Sequence, residues 1–271
     1  MTASLVLAGC GKMGGAMLAG WVESGFVDGG IHVIEPMTAA TDQFSDCADI
    51  KIVESAVDMP DNLVPSVVIL AVKPQIMAEA ILPLKRFVGP DTVFLSIAAG
   101  KTISYFEEKL GSNTSIVRAM PNTPASVGRG ITVYVPNNNV SSELVCLCGE
   151  LLSAVGEAIL IEDESLLDPV TAVSGSGPAY VFFLIEAMAA AGVKAGLPAD
   201  LALRLARATV SGAGELAYLS NEPASQLRIN VTSPGGTTAA ALEVLMGDDG
   251  IQSVIDKAVA AASKRSRELA G

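Results

Sequence analysis

The sequence predicts an α/β chain in two parts: a doubly wound, mostly parallel sheet over residues 1–163 and an all-helical region over residues 164–271. Three observations carry the prediction. Up to about Ile161, short β-branched runs alternate with segments of helical pattern. Helix-length segments between strands imply parallel pairing through right-handed crossovers, and hence an open sheet. Beyond "IEDESLLDPVTAVSGSGP" the strand-like runs stop and only helical patterns follow.

In order, the strands are expected in "SLVLA", "IHVIE", "SVVILAV", "TVFLSI", "SIVRAM", "ITVYV" and "EAILI", with helices between most of them. From Pro178 onward, helices are expected over 178–195, 198–219, a short one near 223–229, 236–247 and 250–269. "SGSGPAY" has two readings, Ser174 or Ser176 as the cap of the long helix or a loop facing the nicotinamide. A mainly structural role is expected, in which the glycines permit close backbone passage and Tyr180 packs. In "NVTSPGGTTAAALEVL", Thr232 or Ser233 suits an N-cap, Pro234 a first helical position, and the Ala/Leu/Val run a helix. Several C-terminal helices are apolar around most of their circumference, with Ala and Gly abundant in "EAMAAAGVKAGL" and "ATVSGAGELA". Such helices must be covered on all sides, so a homodimer in which two helical domains share a core is expected.

Composition limits the partners. A chain of 271 residues, 50% hydrophobic and 17% charged, is a well-buried globular protein long enough for two domains. A net charge of −12 repels phosphate backbones and anionic membranes, so neither nucleic acid nor membrane is expected and small molecules remain. Cys10, Cys47, Cys146 and Cys148 lack the spacing of a disulfide framework or a CxxC site. With no signal-peptide pattern at the start, they read as reduced thiols in a cytoplasmic protein. The segment "PAYVFFLIEAMAAAGV" is shorter than a span of about 20 residues and carries Glu186, which reads as a buried helix. His32, the sole histidine, lies off the face of Ile31 and Val33 and is expected to be exposed. Without a second histidine or a Cys/His cluster, no metal site is expected.

Chemistry enters with "LVLAGCGKMGGAM". Gly9, Gly11 and Gly14 form G-x-G-x-x-G directly after a strand and at the mouth of a helix, the dinucleotide fingerprint of a Rossmann-type fold. Gly9 permits the tight turn, Gly11 the approach of a pyrophosphate, and Gly14 the packing of helix on strand. Glu35 lies 21 residues beyond Gly14 at the end of the second strand. A carboxylate there accepts both ribose hydroxyls of NADH and repels the 2′-phosphate of NADPH, unless Pro36 turns it into a solvated strand-end acid. "AVKPQ" and "SIAAG" end later strands on the same side, which puts Lys73 near the nicotinamide ribose and Ala98 to Gly100 beneath the ring. Arg118 offers either a clamp for a carboxylate or a structural ion pair. The bared amides and hydroxyls of "SPGGTT" suit a small anion such as a carboxylate, or an ordinary helix start.

Taken together, "AVKPQ", "SIAAG", "RAMPNTPA", "TAVSGSGPAYVFFLIEAM" and "LRINVTSPGGTTAAAL" resemble the pyrroline-5-carboxylate reductase family, in the same order from about Leu5 to Glu268. The resemblance implies NAD(P)H-dependent reduction of L-1-pyrroline-5-carboxylate to L-proline, the last step of proline biosynthesis. It implies dimers joined through interlocking helical domains, often assembled further into rings. Carried over by position, its nucleotide contacts fall on Ala8, Gly9, Cys10, Gly11, Lys12 and Met13, on Glu35, Val72 and Lys73, and on Asn230. Its substrate contacts fall on Glu164, Ser233, Gly236, Thr237 and Thr238. The family commonly has a small neutral residue where this chain has Glu35, which again points to NADH. On this reading Thr238 is the catalytic residue and hydrogen-bonds the ring nitrogen, while Glu164 orients the loop or that nitrogen. Two other classes are weaker. A hydroxyacid dehydrogenase needs a Lys or His in the helical half, where Lys194 is the nearby candidate, and a non-catalytic dinucleotide sensor has no use for a second anion site.

Overall fold

The computed structural model describes residues 3–26 and 29–270. One sheet of eight strands is built from β1 (Leu5–Ala8), β2 (Ile31–Ile34), β3 (Ile50–Val53), β4 (Val67–Leu70), β5 (Val93–Ser96), β6 (Ser115–Met120), β7 (Gly130–Pro136) and β8 (Gly156–Leu160), in the order β3-β2-β1-β4-β5-β6-β7-β8. Helices α1 (Lys12–Ser24), α2 (Met77–Ile81), α3 (Ile103–Leu110), α4 (Ser142–Ser153) and α5 (Leu167–Val170) accompany it. Every pairing is parallel except β6 with β7. The short 3-10 turn Thr123–Val127 between those two strands cannot supply a crossover, so the chain reverses there.

The seven expected strands are present, and an eighth, β3, was not anticipated. "IKIV" forms the sheet edge with Lys51 and Ile52 exposed, so it lacks the continuous apolar run that marks the interior strands. Those interior strands are buried on both faces. Leu5, Leu7, Ile31, Val33, Val67 and Ile69 point into one core with Met17, Leu18 and Trp21 of α1 and Leu151 and Leu152 of α4. Val6, Ala8, Val68, Leu70, Phe94 and Ile116 point into the other with Met77, Ile81, Phe106 and Leu110.

His32 corrects an expectation. It pairs with Val6 and Lys51 across a strand that is interior to the sheet, is 7% exposed, and neither ring nitrogen has a hydrogen-bond partner. Burial, and after it the Lys51 ammonium, lowers its pKa below the ordinary 6.5.

The chain divides into two compact units, one running to Gly175 and including the last turns of the final helix from Ser263, the other Ser176–Ala262. The first unit therefore extends past the boundary expected at residue 163. Residues beyond it pack on the sheet: Leu167 is fully buried in a cluster with Val133 and Val135. The second unit is helical, with α6 (Gly177–Lys194), α7 (Ala199–Leu219), α8 (Ala224–Asn230), α9 (Thr237–Leu245) and most of α10 (Ile251–Ala270). Helices α6 and α7 meet where Gly192 faces Ala202 and Leu197. Among the described residues of this unit, the buried hydrophobic side chains are Ala202 and Ala206, whereas Phe182 and Phe183 are 60% and 68% exposed. The reading of the long apolar segment as a buried helix thus does not hold within one chain, because no residue of α6 is buried. By length and composition the helical run Glu164–Lys194 is also apolar enough to cross a membrane.

A testable consequence concerns His32. The unfolded chain binds this proton near pH 6.5 and the folded chain only at lower pH, so stability is present above 6.5 and is lost as pH falls through that value. The denaturant midpoint of the protein should fall between pH 7.5 and about 5.5. His32→Val should flatten that fall, and an unchanged slope in the variant would count against this account.

Candidate active site

The parallel strands deliver their C-terminal ends to one rim, and the strand order reverses between β1 and β4. That is the place where open α/β sheets bind ligands. The turn Gly9–Gly11 lies at this point. Gly9 has φ +95°, and a side chain on it would meet the Ala71 carbonyl and Val72. Gly14 packs against the carbonyl of Gly9, which seats α1 directly on the turn. At Gly11 a side chain would enter open space, and Gly11 caps α1 with no side-chain hydrogen bond, so the first amides of the helix keep no capping acceptor. A groove of about 720 Å³ runs beside this turn, lined among others by Cys10, Gly11, Lys12, Ala40, Gln43 and Ser126.

Glu35, half-buried at the end of β2, is turned toward the glycine turn and not into solvent. Its Oε2 accepts the Cys10 N–H at 2.8 Å and its Oε1 accepts the Met37 N–H at 3.0 Å. Burial, and then the Glu35 carboxylate, pushes the Cys10 thiol up to about 11. That thiol donates to the Ala40 carbonyl at 3.6 Å, and all four cysteines are free. Val72 and Lys73 follow β4, with Lys73 exposed, and Ala98 is buried beyond β5. The structure therefore brings Ala8 through Gly14, Glu35, Val72, Lys73 and Ala98 to the same rim.

Glu164 lies in the same unit but is already engaged. Its Oε1 accepts the Arg118 guanidinium at 2.7 Å and the Ile103 N–H at the start of α3 at 2.9 Å. Of the two readings of Arg118, the structure has the ion pair. Asn122 acts as a bracket: it accepts the Ile131 N–H at 2.9 Å and donates to the Ser174 carbonyl at 3.2 Å. Ser174 itself bonds back to Val170 within a π-helical turn, Thr171–Gly175, and Ser176 occupies the N-cap position of α6 without a side-chain cap. The expected serine cap is therefore absent: a helical turn already precedes α6, and the Ser174 hydroxyl is turned back to the Val170 carbonyl.

In the helical unit, Ser233, Gly236, Thr237 and Thr238 come together in one turn, with a correction to how it is built. The helix starts at Thr237, within one residue of the start expected at 236, and Pro234 does not occupy its first position. Ser233 and Gly236 close a β-turn through Gly236 N–H to the Ser233 carbonyl at 3.0 Å, with Pro234 and Gly235 at its corners. Gly235 has φ +67°, the conformation that a type II turn demands at that corner. Gly236 is thus the N-cap of α9 and has no side-chain acceptor to offer, so the amides of Thr237 and Thr238 face outward uncapped. Asn230, at the end of α8, accepts from Gln226 at 2.8 Å and donates to Glu222 at 2.9 Å. Among the described residues no group of three or more His, Cys, Asp or Glu is placed to hold a metal ion.

Comparison with known proteins follows this division. Residues 164–269 match the family model for pyrroline-5-carboxylate reductase dimerisation, and residues 4–100 match that for NADP oxidoreductase, coenzyme F420-dependent. A pyrroline-5-carboxylate reductase of Pseudomonas aeruginosa is 38% identical, covering 99% of this chain and 97% of its own. The solved structure of a pyrroline-5-carboxylate reductase from Coxiella burnetii superposes with TM-score 0.91 at 33% identity, over 100% of both chains. That of Plasmodium falciparum pyrroline carboxylate reductase with NADP bound gives 0.81 at 30% identity, over 99% of this chain and 98% of that one. Full-length kinship, the open glycine turn and the matched helical domain agree, and the chain belongs to the pyrroline-5-carboxylate reductase family.

Proposed function

We infer that this protein reduces L-1-pyrroline-5-carboxylate to L-proline with a nicotinamide dinucleotide. The observation that carries the inference is that α1 and α9 both open on a glycine N-cap, Gly11 and Gly236, which leaves their first amides bare, in a chain of this family. Both favour anions, the first a pyrophosphate and the second a carboxylate. The open space at Gly11 and the groove beside it fit a dinucleotide. When bound, that coenzyme supplies the hydride.

The chain's own residues then have separable tasks. The amides of Gly11, Lys12 and Met13 hold the pyrophosphate, with Ala8, Gly9, Cys10 and Gly14 shaping the turn. Val72, Lys73 and Ala98 complete the nucleotide contacts of this unit, and the family resemblance adds Asn230. The uncapped amides of Thr237 and Thr238, with the Ser233 hydroxyl and the bare backbone of Gly236, grip the ring carboxylate. A hydride adds to the imine carbon and a proton must reach the nitrogen. A protonated imine needs no acid, and a neutral one takes its proton through the Thr238 hydroxyl. Glu164 serves as a positioning group through its hold on α3. A second copy of the chain is the partner: the dimerisation match spans 164–269, and Phe182 and Phe183 offer the apolar surface for it. On the family resemblance, such dimers assemble further into rings.

Glu35 sets the coenzyme. Its carboxylate already braces the Cys10 amide, so a second negative charge at that place is repelled, and NADH is preferred over NADPH.

The activity is checked by loss of NADH absorbance on adding pyrroline-5-carboxylate, against a panel of 2-hydroxy and 3-hydroxy acids. Thr238→Ala should lower kcat about a hundredfold, and wild-type turnover with unchanged substrate affinity would remove Thr238 from its role. Glu35→Ser should shift the kcat/KM ratio toward NADPH by about tenfold. A wild-type enzyme that already favours NADPH, with no change in the variant, would overturn the assignment of Glu35.

A further inference from the structure

The last turns of α10 converge on the loop that joins β5 to α3. Gly100 lies in that loop with φ +71°, and a side chain on it would come 3.0 Å from the Cβ of Leu269 and 3.1 Å from the Leu269 carbonyl oxygen. The helix end therefore rests closely on the loop, the Cβ and carbonyl of Leu269 lying over the bare backbone of Gly100. One turn earlier Ser266, 4% exposed, donates its hydroxyl to Asp168 Oδ1 at 2.6 Å. Asp168 belongs to α5, and the 3-10 turn that leads into α5 carries Glu164, which holds the Ile103 N–H at the far end of the same loop. The loop is thus held at Ile103 by the acidic segment directly and at Gly100 by α10, which a single buried hydroxyl ties to that same segment. Residues from Ser263 onward cluster with the N-terminal unit, in keeping with this docking.

We propose that Ser266 and the backbone of Leu269 are positioning elements for the coenzyme, holding Ala98–Gly100 at the height the nicotinamide requires. The proposal rests on the assignment of Ala98 as a coenzyme contact. Ala98 is itself buried, with its N–H on the Ser96 hydroxyl at 3.2 Å, and it lies only two residues from Gly100, so a shift at Gly100 reaches it through a short stretch of chain. A seat displaced by about 1 Å is enough to cost up to a hundredfold in rate. The turn Ser233–Thr238 has no part in this network, and Glu164 is held by Arg118 and the Ile103 N–H and not by Ser266, so loss of the Ser266 hydroxyl leaves the groups assigned to the substrate in place.

The test is a split between the two Michaelis constants in the full-length enzyme. Ser266→Ala should raise KM for NADH about fivefold, the loss of one buried hydrogen bond. KM for pyrroline-5-carboxylate should stay unchanged, and Ser266→Thr, which keeps the hydroxyl, should restore the coenzyme KM. Asp168→Ala reads the same bond from its other side if Ser266→Ala does not fold, and the double variant should be no worse than either single one. An unchanged KM for NADH, or two constants that move together in step with Tm, overturns the proposal. Ala98→Leu separates it from the assignment beneath it. If Ala98→Leu raises KM for NADH and Ser266→Ala does not, the positioning role of α10 falls alone. If neither does, the placement of the coenzyme on this loop falls and the proposal with it.

Discussion

Helix α1 starts so close to its own turn that Gly14 meets the carbonyl of Gly9, and much of the N-terminal unit follows from that contact. Any side chain at position 14 would lift the helix from Gly9 and Ala71, and any at position 9 would meet the Ala71 carbonyl. With α1 seated, Trp21 reaches Leu151 and donates its indole N–H at 2.8 Å, while Gly20 lies against Ala154 and Val155. One close approach thus aligns β1, β4 and α4. It also keeps the N-terminal amides of α1 pointed at the rim where the strand order reverses.

In a chain of net charge −12, anion binding cannot rest on a general positive field. The binding proposed above rests instead on the bare amides behind the glycine N-caps Gly11 and Gly236, where the partial charge is local and oriented. The nearby carboxylates are occupied elsewhere. Glu35 takes the Cys10 and Met37 amides, Glu164 takes Arg118 and the Ile103 amide, and Asp168 takes Ser266. Each is an acidic group acting as a brace for backbone, which ties down the loops around the rim while adding negative charge to them.

The helical unit shows the opposite economy. Its helices bury little more than Ala202 and Ala206 within one chain and leave Phe182, Phe183 and Leu219 largely exposed. So little apolar surface is removed from water within one chain that the unit calls for cover, in keeping with its match to a dimerisation domain over residues 164–269. The small residues at the α6–α7 contact, Gly192 against Ala202, keep that pair close and turn the larger side chains outward.

Local pattern determined a good deal by itself. Strands buried on both faces are continuous apolar runs, glycines at fixed spacing mark a turn that no other residue can make, and apolar helices without a polar face announce a partner. Those signals are short-range and so are written in short stretches of sequence. Tertiary structure decided the rest. The edge strand β3 lacks an apolar run, the burial of His32 depends on a neighbour that pattern does not mark, and the SPGG turn kept Pro234 out of the first helical position because Gly235 could take a positive φ. The pairings of Cys10 with Glu35, Arg118 with Glu164 and Asp168 with Ser266 span 25, 46 and 98 residues. No local period encodes such distances, because they are set by which strands lie side by side and by where the last helix comes to rest.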